Sequence, residues 1–76
     1  MAGESADLIE FIAKAMVSDT DAVAVREADG GRTLELETAA DDRGRVIGRQ
    51  GRVAKAMRAV LGASRHGRNL RLEIVD

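Results

Sequence analysis

Residues 45–58 read Arg45-Val46-Ile47-Gly48-Arg49-Gln50-Gly51-Arg52-Val53-Ala54-Lys55-Ala56-Met57-Arg58. This stretch places two glycines three residues apart, and an amphipathic basic helix is predicted to begin directly after the second one. Glycine allows a sharp turn and lets a ligand approach the main chain without a Cβ in the way. The helix that follows would present its unpaired N–H groups and the positive end of its dipole at that turn. Such a turn suits an anion, most simply a phosphate, and Arg49, Arg52 and Lys55 add full positive charges around it.

The charges of the chain are segregated along its length. Residues 1–42 hold 11 Asp or Glu against 3 Lys or Arg, a net charge of −8, whereas residues 43–76 hold 9 Lys or Arg against 2 Asp or Glu, a net charge of +7. The overall net charge of −1 therefore hides a basic half that begins next to the glycine turn. A basic half of this kind indicates a localised anionic partner such as a nucleic acid. The alternative is that both halves are ordinary solvated surfaces.

Length and composition limit the class of protein. The 76 residues suit one domain, which we expect to span residues 1–76 with a core from about residue 5 to residue 75. The chain has no cysteine, which excludes a fold held by disulfides, and Phe11 is its only aromatic residue. No apolar run approaches the ~20 residues of a membrane span, and the first residues lack a signal-peptide pattern. We therefore expect a cytoplasmic protein with no membrane partner.

Hydrophobic periodicity predicts the order helix, strand, strand, helix, loop, helix, strand. The first helix carries an apolar stripe, expected to pack in the core, formed by Leu8, Ile9, Phe11, Ile12, Met16 and Val17. Residues 22–28, 32–38 and 70–75 alternate as strands do, and Asp29-Gly30-Gly31 predicts a hairpin turn between the first two. Asp41 or Asp42 is expected to cap a short helix that ends at Ile47. The last helix is expected to face the core with Val53, Ala56, Met57, Val60 and Leu61 and to carry Arg52, Lys55 and Arg58 on the opposite side.

This order predicts an α+β fold with a three-stranded mixed sheet. Strands one and two, joined by a hairpin turn, should pair antiparallel. Strands two and three are joined across helices, so they should lie parallel with a right-handed crossover. The three helices should then pack on one face of the sheet.

The segment Val46-Ile47-Gly48-Arg49-Gln50-Gly51 resembles the signature of the K-homology (KH) domain, in which an isoleucine precedes a Gly-x-x-Gly loop between two helices. In that family the loop clamps the backbone of about four nucleotides. The αββααβ order resembles the type II, bacterial arrangement of the KH fold. The whole chain is similar to the small bacterial single-KH proteins of the KhpA type.

The resemblance implies a non-catalytic protein that binds single-stranded RNA and acts as an RNA chaperone or post-transcriptional regulator. It implies that the bases lie in an apolar groove between the helices around the loop and the neighbouring strand, with Gly44, Val46, Ile47 and Val53 matching the helical part of the groove. Ile47 and Val53 could equally be core residues, and core is the favoured interpretation for Val53. The residues implied in RNA binding are Gly44, Arg45, Val46, Ile47, Gly48, Arg49, Gln50, Gly51, Arg52, Lys55 and Arg58. Single-stranded DNA stays open as the ligand, because a clamp on phosphates reads the 2′-hydroxyl poorly. Without an aromatic base-stacking residue, binding should be modest, salt-dependent and low in sequence specificity.

The resemblance also implies self-association or pairing with a second, KhpB-like KH protein. A protein-interaction domain with weak RNA or single-stranded DNA binding is therefore the alternative function. Linking two weak modules raises their joint affinity for one RNA, which makes a pair useful.

Catalytic, metal and cofactor sites are not predicted. His66 is the only histidine and has no cysteine near it, so the partners for a metal site or for histidine catalysis are lacking. Glu35 and Glu37 are expected to face solvent beside Arg26 or Arg71. We therefore expect no enzyme and no cofactor. Whether Arg65, His66 and Arg68, which share one polar loop, touch nucleic acid is left open.

Overall fold

The computed structural model describes residues 3–64 and 69–75, and within them the helices and strands follow the predicted order. They are α1 (Gly3–Met16), β1 (Ala24–Ala28), β2 (Thr33–Glu37), α2 (Arg43–Ile47), α3 (Arg52–Ala63) and β3 (Arg71–Ile74). Short 3₁₀ turns cover Thr20–Ala22, Asp29–Gly31, Ala40–Asp42 and Arg49–Gly51. The predicted α+β class is confirmed.

The three strands form a mixed sheet in the order β1-β2-β3. β1 runs antiparallel to β2, with Ala28 opposite Thr33, and β3 runs parallel to β2, with Leu72 beside Leu34. Both pairings are as predicted, because a hairpin turn joins the first two strands and helices join the last two. Arg26 and Glu37 form the expected exposed cross-strand pair, with Nη1 and Oε1 2.7 Å apart. β2 is therefore central, and β3 leaves one edge of the sheet unpaired in the described part of the chain.

The core lies between the sheet and the helices. Its buried apolar residues are Ile9, Ala13, Val23, Leu34, Leu36, Val46, Met57, Leu61 and Leu72. Burying a large aliphatic side chain contributes about 1.5–3 kcal/mol to the free energy of folding. A core of this size therefore stabilises a small domain with little stability to spare. Val46 is fully buried one residue before Ile47, where α2 ends, and therefore anchors that end of α2.

The buried face of α1 differs from the predicted stripe. Ile9 and Ala13 are completely buried, whereas Phe11 is 73% exposed and Met16 lies at the surface. Helical residues are separated by about 100°, so Phe11 lies roughly 200° around the helix from Ile9 and faces solvent. The prediction that Phe11 packs in the core was wrong.

The buried face of α3 is also rotated relative to the prediction. Ala54, Met57 and Leu61 are buried, whereas Ala56 and Val60 are exposed. Apolar residues occupy more than half of the circumference of this helix, so the spacing alone does not define its inner face. The small Ala54 occupies a core position that the pattern had assigned to larger side chains.

The rotation leaves an open apolar cleft between α1 and α3, with a volume of about 290 Å³. It is lined by Ile12, Met16, Arg52, Val53, Ala56, Met57 and Val60. Despite this surface, the helices found in residues 3–64 and 69–75 include none with the length and apolarity to cross a membrane.

Asp42 precedes α2, but its carboxylate does not cap that helix. Oδ1 accepts a hydrogen bond from the Ser18 N–H at 3.1 Å, and Oδ2 accepts one from the Asp19 N–H at 3.0 Å. The side chain is nearly completely buried. The predicted capping role is therefore replaced by a tie between the start of α2 and the segment that follows α1.

Candidate nucleic-acid interface

The loop from Gly48 to Gly51 breaks the chain between α2 and α3 through backbone angles that favour glycine. Gly48 has φ 79° and Gly51 has φ 74°. A Cβ on Gly48 would lie 2.6 Å from Val53 Cγ2 and 2.8 Å from the Val53 nitrogen, so the ends of the two helices meet too closely for any side chain there. At Gly51 there is space, and the positive φ alone favours glycine.

The main-chain donors of the loop are partly used by the protein itself. The Gly48 N–H donates to the Gly44 carbonyl at 2.8 Å, and the Gly51 N–H donates to the Gly48 carbonyl at 3.0 Å. The N–H groups of Arg49 and Gln50 find no main-chain acceptor within the described residues. The residue before α3 is Gly51, which provides no capping side chain for the first turn of that helix. The Arg52 N–H, the first of α3, donates to the Arg49 carbonyl, so the donors available to an anion are those of Arg49, Gln50 and the residues after Arg52 in the first turn of α3.

Gln50 holds a left-handed conformation, with φ 57° and ψ 25°. This conformation is uncommon for a residue other than glycine, asparagine or aspartate. Its side chain is exposed, and so are those of its neighbours Arg49 and Arg52. The turn therefore holds its polar side chains outward at the tip of the loop.

Three cations surround this tip without being neutralised. Arg49, Arg52 and Lys55 are exposed, and none of them forms an ion pair or a side-chain hydrogen bond with residues 3–64 or 69–75. Arg52 and Lys55 are three residues apart on α3, so they lie on the same side of the helix. The loop is consequently an exposed, positively charged corner with unpaired main-chain donors.

The predicted residues on α2 divide between surface and core. Gly44 is exposed and Ile47 is 37% exposed, so both reach the surface beside the loop. Val46 has no exposed surface and supports the loop from beneath. Arg45 is turned toward the segment after α1, where its Nη1 donates to Ser18 Oγ at 2.8 Å and lies 3.9 Å from Asp42 Oδ1.

Arg58 was predicted to lie in one row with Arg52 and Lys55, and the structure does not place it there. Its Nε and Nη2 both donate to the main-chain carbonyl of Leu72, at 3.2 and 3.1 Å. Six positions along a helix amount to about 600°, which turns Arg58 toward β3 and away from Arg52. There it borders a groove of about 380 Å³, whose other lining residues are Leu70, Arg71, Leu72 and Glu73.

Asp42 is the side chain of this region whose pKa is shifted. The hydrogen bonds from the main-chain N–H groups of Asp19 and Ser18 lower the pKa of the Asp42 carboxyl, and the charge of Arg45 adds to this effect. Asp42 is therefore ionised at neutral pH and holds the start of α2 in place.

The other candidate residues named from the sequence cannot be placed in this site. Arg65, His66 and Arg68 lie outside the described residues. Across the described ranges, no three His, Cys, Asp or Glu side chains are grouped as metal ligands would be.

Sequence reasoning missed two features of this region: the bond from Arg58 to the Leu72 carbonyl, and the Asp42 tie. Asp41 and Asp42 adjoin each other in sequence, and nothing in their pattern tells which one is buried. The bond from Arg58 could in part have been expected from the sequence, because the predicted strand order leaves β3 at an edge with unpaired carbonyl groups.

A helix, a hairpin, two helices joined by a Gly-x-x-Gly turn and a parallel third strand define a KH domain. A family model described as KhpA/KhpB, KH domain, matches residues 6–74. The chain belongs to this family.

Relatives from distant bacteria match over nearly their whole length. A protein named RNA-binding protein KhpA from Halalkalibacterium halodurans is 47% identical, and the match covers 91% of this chain and 96% of that protein. Proteins of the same name from Borreliella burgdorferi and Streptomyces coelicolor are 41% and 43% identical; the matches cover 97% and 92% of this chain and 95% and 90% of those proteins. Among solved structures, none matches the chain at a significant level.

Proposed function

We propose that this protein is a non-catalytic, single-stranded RNA-binding protein that grips the RNA backbone with the loop Gly48–Gly51. The observation that carries the proposal is the exposed turn at the uncapped start of α3, surrounded by three cations that the described chain leaves unpaired. Membership of the KhpA/KhpB family and the name of its relatives, RNA-binding protein KhpA, support RNA as the ligand. The proposed role in the cell is that of a cytoplasmic RNA chaperone or post-transcriptional regulator.

In this proposal the phosphates and the bases have separate places. The N–H groups of Arg49 and Gln50, together with the charges of Arg49, Arg52 and Lys55, hold the phosphates. Gly44 and Ile47 form the helical wall beside the loop, and the groove along β3 receives a base. Gly48 and Gly51 shape the turn, and the buried Val46 holds α2 in position; Arg45, bound to Ser18 at the surface, adds a positive charge to α2. Arg58 borders this groove, about 9 Å along the helix axis from Arg52.

Replacing Arg49 and Gln50 by aspartate tests the clamp. Two carboxylates at the tip should repel phosphates, and we expect the affinity for a short unstructured RNA to fall at least about tenfold, measured by fluorescence anisotropy. Arg26→Asp is the control, because Arg26 is exposed on β1, which β2 separates from the groove along β3, and it lies outside the loop. Circular dichroism checks that each variant is folded.

Salt titration adds a second measure of the same clamp. Three phosphate contacts to a single strand predict a slope of about −2 in a plot of log affinity against log salt, or about a twentyfold loss between 50 and 200 mM. The double aspartate variant should lose most of this dependence. Unchanged binding by that variant at moderate salt would show that the loop is not the clamp. A parallel titration with DNA of the same sequence measures how far the protein prefers RNA.

A specific observation also favours the pairing of this protein with a second KH domain, either another copy or a KhpB-like protein. The cleft between α1 and α3 exposes Met16 and Val60 beside the partly buried Ile12 and Val53. A domain with a single small core gains stability and RNA affinity by covering such a surface with a partner. The cleft adjoins Arg52, so a partner seated there would place a second loop close to the first.

A further inference from the structure

The groove beside Arg58 borders the free edge of β3, where main-chain groups do not pair with β2. The N–H groups of Arg71 and Val75 donate to the carbonyls of Arg32 and Leu36, so alternate residues of β3 point toward β2. The residues between them, Leu72 and Ile74, therefore point their main-chain N–H and carbonyl groups away from β2. An edge of this kind offers both donors and acceptors to a ligand.

Arg58 removes one acceptor from this edge. A carbonyl oxygen has two lone pairs, and the Leu72 oxygen receives hydrogen bonds from both Nε and Nη2 of Arg58. The Leu72 N–H stays available, and so do the other N–H groups of the guanidinium. At the level of Leu72 the groove thus presents hydrogen-bond donors and a positive charge, but no acceptor from the main chain.

We propose that Arg58, by occupying the Leu72 carbonyl, makes this position of the groove select guanine over adenine. This inference rests on the proposed RNA-binding function. Guanine presents two neighbouring acceptors, N7 and O6, which match the Leu72 N–H and the free N–H groups of Arg58. Adenine presents N7 beside the N6 amino group, and that amino group would meet donors and a positive charge. The preference concerns one base, so it is compatible with low sequence specificity elsewhere.

Glu73 is the acidic residue that lines the same groove. Its exposed side chain lies on the outward face of β3, because side chains alternate along a strand and Leu72 points inward. The guanine preference assigned to Arg58 can therefore be separated from any contact made by Glu73. Glu73→Gln is the control, and it should leave this preference unchanged.

The test compares two short RNAs, a uridine heptamer with one central guanosine and the same heptamer with one central adenosine. The wild-type protein should bind the guanosine RNA about fivefold or more tightly, the range expected for a matched pair of base contacts. Arg58→Met frees the Leu72 carbonyl to accept from the adenine amino group, so the ratio should fall to about one or reverse. Lys55→Met removes the same charge from an exposed position on α3. It should lower the affinity for both RNAs equally and leave the ratio of the two affinities unchanged.

A measurement on the RNA side keeps the test independent of the stability of the variant. Replacing the guanosine by 7-deazaguanosine removes the N7 acceptor and should abolish the preference of the wild-type protein. A wild-type ratio near one, or a ratio that is the same in wild type, Arg58→Met and Lys55→Met, would overturn the inference while the loop clamp stands. Failure of the clamp itself appears differently: the Arg49 and Gln50 double aspartate variant would then bind both heptamers as well as the wild type does.

Discussion

At Gly48, a methyl group would lie 2.8 Å from the main-chain nitrogen of Val53, a distance that only movement of the backbone can relieve. The positive φ at the same residue adds strain for any other amino acid. The close approach arises because α2 and α3 meet at the loop with their ends almost in contact. The shape of the proposed clamp therefore depends on one missing Cβ.

Gly48→Ala should lower stability by about 1–3 kcal/mol or more, since strain at a positive φ adds to the clash with Val53. It should also weaken RNA binding, because relief of the clash moves the loop away from the start of α3. Thermal unfolding and fluorescence anisotropy measure the two effects. Gly62→Ala is the matched control: Gly62 lies in α3 with no atom near its Cβ position, and alanine there should stabilise the protein by about 1 kcal/mol. Equal stability of the two variants would contradict this account of Gly48.

At the scale of elements, α2 is five residues long and cannot be stable by itself. Two contacts hold it: Val46 enters the core, and Asp42 binds the main chain after α1. Because α2 leads directly into the loop, these contacts also position Gly48. The Asp42 tie thus connects the acidic first half of the chain to the proposed RNA-binding loop.

Asp42→Asn should destabilise the protein at neutral pH. Asparagine keeps one acceptor, but its amide N–H₂ would face one of the two N–H donors from Ser18 and Asp19. The pKa of Asp42 in the folded protein lies below its ordinary value of 3.8, so its stabilising contribution is fully present above that pH and is lost as the pH falls through the lower value. The difference in melting temperature between wild type and variant should therefore be largest near pH 7 and shrink below about pH 4.

Ser18→Ala is the control for this experiment. It removes the hydroxyl contact with Arg45 but keeps the main-chain N–H that Asp42 binds. Its stability should stay close to that of the wild type across the same pH range. A difference between wild type and Asp42→Asn that is constant from pH 7 to pH 3 would exclude the ionised tie as its cause.

At the scale of the whole molecule, charge and apolar surface are distributed unevenly. Exposed acidic residues lie on α1 and in the turns of the first half, whereas the exposed Arg52 and Lys55 of α3 lie beside the loop. In the proposed function this distribution would orient an approaching nucleic acid, since the acidic surface would repel phosphates and the loop would attract them. The apolar cleft between α1 and α3 borders the basic region at Arg52.

If a second copy covers this cleft, Val60→Asp should convert the protein from a dimer to a monomer, because the partner would bury an unpaired carboxylate. Analytical ultracentrifugation of the purified protein measures the change. Phe11→Ser is the control, since Phe11 is more exposed than Val60 but does not line the cleft. A monomeric wild type would exclude self-pairing, and the same cleft would then be tested with a KhpB-like protein as partner. Dimerisation that persists in Val60→Asp would place the interface elsewhere.

Much of the fold was predictable because its signals are local. Alternation in residues 32–38, the Asp29-Gly30-Gly31 turn and the two glycines of the loop each define a conformation within a few residues. Which individual side chains are buried was harder to predict. Phe11 and Val60 were assigned to the core because they are apolar and fit the helical spacing, yet the structure buries Ala13 and Ala54 on the same two helices.

Local patterns in the amino-acid sequence were enough to predict the order of the elements, the pairing of the strands, the break between α2 and α3, and the cations around it. These features depend on backbone preferences and on residue spacing, which act over short stretches of chain. Three features became visible from the packed fold: which face of α1 and α3 is inside, the binding of Asp42 to the segment after α1, and the bond from Arg58 to the Leu72 carbonyl. Those outcomes join residues 14 to 24 positions apart, and they depend on how the helices rotate against the sheet to exclude the most water.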